Sequence, residues 1–164
     1  MSLNVTNGKN LVLKLRKAFQ LSASDWLLII QAMGWFAVVE FGLRVLKLKT
    51  LLAVLENDRP AEREGSNRAP TNAERVGYCV ELASRLHPLR PTCLKKALVL
   101  FALLARRGVK ARVVVGTAKS DGKLDAHAWI EHDGRVIMGG PARERYSTLC
   151  SLDGNWLLVT DRER

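Results

Sequence analysis

The sequence predicts an α+β domain in which helices come first and a short antiparallel sheet follows. Apolar residues recur at helical spacing from Trp26 to Leu55 and again over 73–86, and an unbroken apolar run extends from Ala97 to Ala105. After Gly108 the pattern changes to the alternation and turn dipeptides that are typical of strands. Helices followed by a run of strands are characteristic of α+β architectures.

Composition and charge favour a soluble globular protein over a nucleic-acid binder. The chain has 164 residues, 48% of them hydrophobic and 26% charged, with a formal net charge of +10. This length suffices for one domain with a real core. The basic residues are scattered and do not alternate with aromatic residues as a base-stacking surface requires. We therefore expect a solvated basic surface. Attraction to an acidic peptide or protein partner is the next interpretation, and we expect no nucleic-acid partner.

The cysteines predict neither a disulfide framework nor a metal site. Cys79, Cys93 and Cys150 are odd in number, widely spaced and without a CxxC motif. Residues 1–20 lack the pattern of a secretion signal. We expect a cytoplasmic protein that needs no metal and no cofactor.

The first region, residues 1–57, is predicted to be helical. Ser22 and Asp25 form a capping-box-like start, and the segment Trp26 to Leu55 that follows predicts a helical hairpin or a bent helix. Its most apolar part, 26–39, is too short to cross a bilayer. Packing against a partner or the main domain is favoured over a helix lying on a membrane surface, so membrane association is disfavoured.

The second region, residues 58–70, is a predicted linker of charged residues, two prolines, Gly65 and Ser66, and 71–164 is the main domain. Thr71 and Glu74 form a capping box ahead of an amphipathic helix over 73–86 that buries Cys79.

The main domain continues with a buried helix and then strands. The helix begins at Cys93, is apolar on every side over Ala97–Ala105, and ends at Gly108. The strands are predicted at 109–115, closed by Gly116, then at 126–132 and 135–138, joined by an Asp133-Gly134 turn, and finally at 155–160. Pairing through that turn places His127 opposite Gly140.

A candidate nucleophile lies where the buried helix begins. The reactive form of cysteine is the thiolate, and the amino terminus of a helix stabilises it. Cys93 has this setting, with Lys95 and Lys96 nearby, and the same backbone N–H groups could bind an oxyanion. A buried structural cysteine is the competing interpretation.

A base must lie within hydrogen-bond reach of the nucleophile. His87 lies in a turn between prolines and His132 next to the hairpin turn, both typical of surface positions. His127 is the first choice because it lies on the sheet that the buried helix should pack against. Trp129 shares its face and is either a wall of the site or a core residue.

Two stretches together resemble a known family. They are PTCLKKALVLFALLARRGVKARVVVG and DAHAWIEHDGRVIMGG. The combination resembles the transglutaminase-like cysteine peptidase domain and, more specifically, the leader peptidases (B proteins) of lasso-peptide biosynthesis. The resemblance is strong over about residues 71–140, and the LSASDWLLIIQA stretch is also similar to that family's amino-terminal part.

The resemblance implies a papain/transglutaminase-like fold in which Cys93 attacks a peptide carbonyl and His127 is its base. The substrate would be a ribosomally made lasso precursor, cut between leader and core. The core would pass to an ATP-using lasso cyclase. The parts already assigned leave no room for a recognition domain of about 80 residues, so a separate leader-recognition protein is expected, with residues 21–57 as the candidate contact.

The chain departs from the family at the acid that orients the histidine, which would fall near Gly139 and Gly140. Asp125, Glu131 and Asp153 are substitutes among which the sequence does not decide. Two other functions stay open. One is a transglutaminase-like acyltransferase that uses the same Cys–His pair, and the other is a non-catalytic scaffold in the same pathway.

Overall fold

The computed structural model describes residues 21–57, 72–88, 90–120 and 123–152. The strands in this part of the chain form one sheet, in which the third strand of the sequence is followed by the second, the first and the fourth, with antiparallel neighbours throughout. The α+β class is confirmed. The elements are α1 (Ala23–Val45), α2 (Leu48–Asn57), α3 (Ala73–Leu86), α4 (Cys93–Ala105), β1 (Arg112–Ser120), β2 (Lys123–His132), β3 (Arg135–Met138), α5 (Gly140–Arg143) and β4 (Ser147–Leu152).

Helix α4 is the centre of the hydrophobic core. None of its residues from Ala97 to Ala105 is more than 3% exposed. The helix contacts α1, α2 and α3 as well as strands β1 and β2. Its carboxyl end closes at Gly108, which has a φ of +73° and donates its N–H to the carbonyl of Ala105. The predictions of a buried helix and of its end are confirmed.

The amino-terminal segment forms two helices that join the same core. Ser22 and Asp25 make the predicted capping box, in which each side chain accepts a hydrogen bond from the other's backbone N–H. The helical run is interrupted between α1 and α2. Near the end of α1, Gly42 lets Leu51 of α2 approach so closely that a Cβ at residue 42 would lie 2.7 Å from the Leu51 side chain. Buried residues of α1, such as Phe36, share one cluster with α3, α4 and the sheet.

Helix α3 spans the predicted residues and buries Cys79 as expected. Its N-cap is Asn72, whose side chain accepts the backbone N–H of Arg75, so the helix begins one residue beyond the predicted Thr71 cap. Thr71 and the predicted linker 58–70 lie outside the described residues. The division into 1–57 and 71–164 therefore stays a prediction.

The sheet differs from the prediction in the extent of β1 and in its last strand. Strand β1 begins at Arg112 and continues past Gly116, so the predicted strand end at Gly116 is wrong. Gly116 serves a different purpose, because a Cβ there would lie 2.8 Å from the Trp129 ring. Strand β4 was not predicted, since its alternation of Ser, Thr and Leu is weak. The predicted strand 155–160 lies outside the described residues.

The hairpin turn is confirmed, but its register changes along the ladder. Asp133 and Gly134 both have positive φ, +46° and +74°, as a type I′ turn requires. A bulge between Ile130 and Glu131 shifts the β2–β3 pairing by one residue. The predicted pairing of His127 with Gly140 is therefore wrong, because the described ladder ends at Ile130 opposite Met138 and Gly140 begins α5.

An ion pair between the buried Asp25 and the largely exposed Arg75 ties α1 to α3. The Asp25 side chain is 4% exposed and accepts two hydrogen bonds of 2.6 Å from the Arg75 guanidinium. Those bonds, with further ones from Ser22, hold the pKa of Asp25 well below its ordinary range despite burial, which acts in the opposite direction. Protonation of this carboxyl therefore weakens the link between the two helices.

We predict that Arg75→Ala lowers the free energy of unfolding by about 2 kcal/mol at neutral pH, because the buried Asp25 carboxylate loses its charged partner. The folded-state pKa of Asp25 is lowered, so this stabilisation is present above the unfolded value of about 3.9 and declines as pH falls below it. Urea unfolding at pH 7 and at pH 3 measures both effects.

The matched control is Arg85→Ala, which removes an exposed pair with Glu81 on the same helix and should cost less than about 0.5 kcal/mol. Equal losses for the two variants at pH 7, or an Arg75→Ala loss that does not shrink at pH 3, would contradict the assignment.

Candidate active site

Cys93 is the first residue of α4, and the fold fixes it there. Thr92 is the N-cap of α4. Its backbone is extended, and the described Thr92 side chain makes no capping hydrogen bond. The first intrahelical bond is that of the Lys96 N–H to the Thr92 carbonyl. The N–H groups of the first turn therefore point out of the helix at its positive end, beside the half-buried thiol.

The two lysines that follow Cys93 in the first turn of α4 both form ion pairs with other helices. Lys95 forms an ion pair with Glu40 of α1, and Lys96 forms one with Glu81 of α3 at 3.1 Å. The charge of each lysine near the thiol is therefore offset by a carboxylate partner. Their pairing instead fastens the start of α4 to two other helices, which fixes the position of Cys93.

The other two cysteines are poor nucleophiles by their surroundings. Burial, aided by the negative charge of Asp25, raises the pKa of Cys79 to about 11. Burial also raises the pKa of Cys150. Both side chains therefore stay protonated thiols at neutral pH. This leaves Cys93, at the amino end of α4, as the candidate.

His127 lies on β2, and the structure supplies its orienting partner. The ring is half-buried, and its Nε2 lies 3.1 Å from the carbonyl oxygen of Gly139. A carbonyl oxygen only accepts, so Nε2 carries the hydrogen and donates it. In the neutral ring Nδ1 is then a lone-pair acceptor, which is the form a general base requires.

Gly139 lies near the position where the resemblance placed an orienting acid, and its backbone conformation favours a glycine. Its φ is +85°, a conformation that L side chains rarely adopt. A Cβ there would lie 2.9 Å from the Cβ of Trp129 and 3.2 Å from the carbonyl oxygen of Ala128. The backbone passes so close to β2 only because residue 139 has no side chain, and this brings its carbonyl to the His127 ring.

Tyr146, just before β4, is a site residue that the sequence did not reveal. Its ring centroid lies 5.2 Å from that of His127, and its hydroxyl donates to Asp125 Oδ2 at 2.7 Å. The pKa of Tyr146 is raised, chiefly by the hydrogen bond to Asp125. The charge of a Cys93 thiolate acts in the same direction. Tyr146 thus packs against His127 and binds Asp125.

Two of the three carboxylates that the sequence offered as orienters, Asp125 and Glu131, have other partners in the structure. Asp125 accepts from Tyr146, and Glu131 accepts from the Trp129 indole at 2.9 Å and pairs with Arg112 and Arg143. Asp153 lies outside the described residues. The orienting group observed is a backbone carbonyl, which sequence patterns do not reveal because every residue has one.

Trp129 walls the site from inside the core. It is 0% exposed, and its ring is stacked on that of His127 with the centroids 6.2 Å apart. It therefore combines both roles that the sequence left open, as a core residue and as a wall against the catalytic candidate. Its indole N–H is satisfied by Glu131, as a buried indole requires.

The remaining histidines have other surroundings. The ring of His87 packs on Phe36 with centroids 5.4 Å apart. His132 Nδ1 lies 2.6 Å from the Lys110 carbonyl, and Nε2 lies 3.5 Å from Asp133. Within the described ranges no group of three or more His, Cys, Asp or Glu side chains is arranged to hold a metal ion.

The arrangement therefore consists of a thiol at a helix start, an imidazole oriented on the adjoining sheet, and helix N–H groups beside the thiol. A family comparison agrees with it. The model of the transglutaminase-like superfamily matches residues 35–151, which is more than two thirds of the chain. The chain belongs to the transglutaminase-like superfamily. This superfamily includes cysteine peptidases and acyltransferases, and its members are typically cysteine-based catalysts.

Comparisons with curated proteins and with solved structures find no match for the chain. The family match begins within α1 and ends within β4, so it includes both amino-terminal helices in part or whole. The superfamily and the α+β fold expected from the sequence are thereby confirmed.

We predict that Gly139→Ala lowers the free energy of unfolding more than Gly134→Ala does. Both positions have positive φ, which costs an alanine about 1–2 kcal/mol. A Cβ at Gly134 meets nothing within 4 Å, whereas at Gly139 it meets Trp129 and the Ala128 carbonyl. The steric contact should add at least about 1 kcal/mol, as overpacking does. Denaturant unfolding of the two variants measures the difference.

The same pair of variants separates strain from site geometry. Gly134→Ala keeps the carbonyl of residue 139 in place, whereas Gly139→Ala must move it away from His127. Equal stability losses for the two variants would show that residue 139 does not approach β2 as closely as described.

Proposed function

We propose that the chain is a cysteine endopeptidase in which Cys93 is the nucleophile and His127 its general base. The observation that carries the proposal is the hydrogen bond from His127 Nε2–H to the Gly139 carbonyl. It leaves Nδ1 as the proton acceptor on a sheet against which the Cys93 helix packs. Membership of the transglutaminase-like superfamily, whose members are typically cysteine-based catalysts, supports a cysteine nucleophile.

In the proposed reaction His127 Nδ1 takes the proton from Cys93 Sγ, and the thiolate attacks the scissile peptide carbonyl. The oxyanion that forms faces the first-turn N–H groups of α4, which stabilise it. The imidazolium then gives its proton to the leaving amine as the tetrahedral intermediate collapses to a thioester. Water, deprotonated by the same ring, hydrolyses the thioester and regenerates Cys93.

The Gly139 carbonyl takes the orienting role of the missing acid. It fixes the tautomer and the ring direction, which are the main contributions of the third member of a triad. A carbonyl is a dipole without net charge, so it stabilises the imidazolium less than a carboxylate would. We propose Tyr146 and Trp129 as positioning residues that limit the ring to one orientation by packing on it.

The substrate class rests on the sequence resemblance to lasso leader peptidases. On that ground we propose a ribosomally made lasso precursor as substrate, cut between leader and core in the cytoplasm. A separate leader-recognition protein would present the precursor, and a macrolactam cyclase would receive the core. The PTCLKK start of α4 and the HAWIEHDGRV hairpin carry this resemblance, and both contain residues of the site.

An acyltransferase and a non-catalytic scaffold are the two alternatives to the proposed peptidase. An acyltransferase would form the same thioester and pass the acyl group to an amine, so that its product is heavier than the hydrolysis product. A non-catalytic scaffold was favoured by the absence of an acid beside His127. The Gly139 carbonyl weakens that argument, because the ring has an orienting acceptor.

We predict that the protein, incubated with precursor and recognition protein, releases the leader, and that Cys93→Ala slows release by at least about a thousandfold. The loss follows because water alone replaces the nucleophile. Cys150→Ala is the matched control, since it removes a half-buried thiol outside the proposed site and should retain activity.

Mass spectrometry of the products separates the alternatives. A free carboxylate at the cut supports the peptidase, whereas a product joined to an added amine supports the acyltransferase. Unchanged leader release by Cys93→Ala would refute the proposed nucleophile. Absence of any turnover, together with equal alkylation rates of Cys93 in wild type and His127→Ala, would favour the scaffold.

A further inference from the structure

The outward face of α1 is an apolar stripe. Its large side chains are between 51% and 69% exposed. They recur three or four residues apart, with the open Gly34 among them, so they lie along one side of the helix. We call this set the α1 stripe, and it consists of Leu27, Ile30, Val38, Phe41 and Val45.

The α1 stripe is distinct from the face that α1 turns to the core. Ile29, Ala32, Phe36 and Val39 are at most 3% exposed and belong to the central cluster. By length and composition alone, α1 could cross a membrane: it has a mean hydropathy of 1.7, and 28% of its most apolar window is buried. Apolar side chains aligned in this way mark a binding surface.

The charges around the α1 stripe are basic. Of the acidic residues in α1, Asp25 is buried against Arg75, and Glu40 is paired with Lys95 and Arg44. Arg44 and Lys47 are exposed at the carboxyl end of the helix. Neither acidic side chain of α1 therefore offers an exposed, unpaired negative charge beside the stripe.

Half of the net positive charge of the chain lies before residue 50 in the sequence. Residues 1–49 contain seven basic and two acidic residues, a net charge of +5, which is half of the net charge of the whole chain. The basic residues are Lys9, Lys14, Arg16, Lys17, Arg44, Lys47 and Lys49. A segment rich in basic residues that adjoins an apolar helix in the sequence is typical of chains that bind anionic lipid.

We propose that the α1 stripe docks on an anionic lipid surface, with α1 lying in the plane of the membrane. The apolar side chains enter the headgroup boundary, and the basic residues contact lipid phosphates. Trp26, 49% exposed beside the stripe, suits the interface through its amphipathic ring. The helix does not span the bilayer, because its other face would have to leave the core.

This differs from the sequence-based expectation that disfavoured membrane association. A helix that is apolar on nearly every side has no amphipathic pattern, so the sequence does not separate the face that packs inward from the one left outside. The structure makes that separation by burying one face against α3 and α4.

The test is flotation of the full-length protein with vesicles of phosphatidylcholine containing about 30% phosphatidylglycerol, at an ionic strength of about 0.15 M. Wild type should float with these vesicles and not with pure phosphatidylcholine. The double variant Ile30→Glu, Phe41→Glu should reduce the bound fraction by at least about tenfold, because it places charge in the apolar contact.

The matched control is the double variant Tyr78→Glu, Leu149→Glu. It makes the same change in net charge at side chains that are 48% and 53% exposed on α3 and β4, and should bind as wild type does. Circular dichroism melts show whether each variant is folded. An equal loss of vesicle binding in both double variants would show that the effect comes from net charge alone, and it would overturn the proposal.

Two further results would also overturn it. One is the absence of wild-type flotation with the anionic vesicles. The other is a wild-type dimer in light scattering that the stripe variant converts to monomer while vesicle binding stays the same, which would assign the stripe to a second copy of this chain.

Discussion

The burial of α4 on all sides is the constraint on which the site depends. Residues 97–105 are enclosed by three helices and the sheet, so the helix can neither slide nor rotate without opening the core. Its first residue is therefore held at a fixed place, and that residue is Cys93. Ion pairs from Lys95 and Lys96 to α1 and α3 fasten the same end. The proposed nucleophile is thus fixed by packing on one side and charge pairing on the other.

The sheet fixes the other half of the site by a close backbone approach. Gly116 makes room for the Trp129 ring, and Gly139 lets the chain pass against β2. The second approach gives His127 its hydrogen-bond acceptor. The two glycines therefore have different roles. Gly116 leaves space for the Trp129 ring, and Gly139 presents the carbonyl that stands in place of a carboxylate. This arrangement depends on steric space, so it is sensitive to the addition of a single methyl group.

The sequence predicted most of the fold because its signals were local. The Ser22–Asp25 box, the apolar run of α4 and the Asp133-Gly134 turn each determine their own segment. It missed the extension of β1 and the presence of β4, which depend on packing and pairing between segments distant in sequence. It also misplaced the pairing of His127, since the bulge at Ile130 leaves no clear local pattern.

The sequence led to Cys93, His127 and Trp129, but not to Gly139 and Tyr146, which contact His127. A search for a carboxylate could not find Gly139, because the group that acts there is part of the backbone. Tyr146 follows no motif and reaches His127 only through the fold. Two faces of α1 that look alike in sequence also differ in the structure, where one is core and the other is exposed.

The tautomer of His127 tests the central claim most directly. Nitrogen-15 NMR of histidine-labelled protein, with the His127 signal assigned by its loss in His127→Gln, distinguishes a protonated ring nitrogen from a lone-pair one when the imidazole is neutral. The account predicts a single Nε2–H tautomer with Nδ1 unprotonated. An Nδ1–H tautomer, or shifts that average the two forms, would contradict it, because the Gly139 carbonyl would then not orient the base.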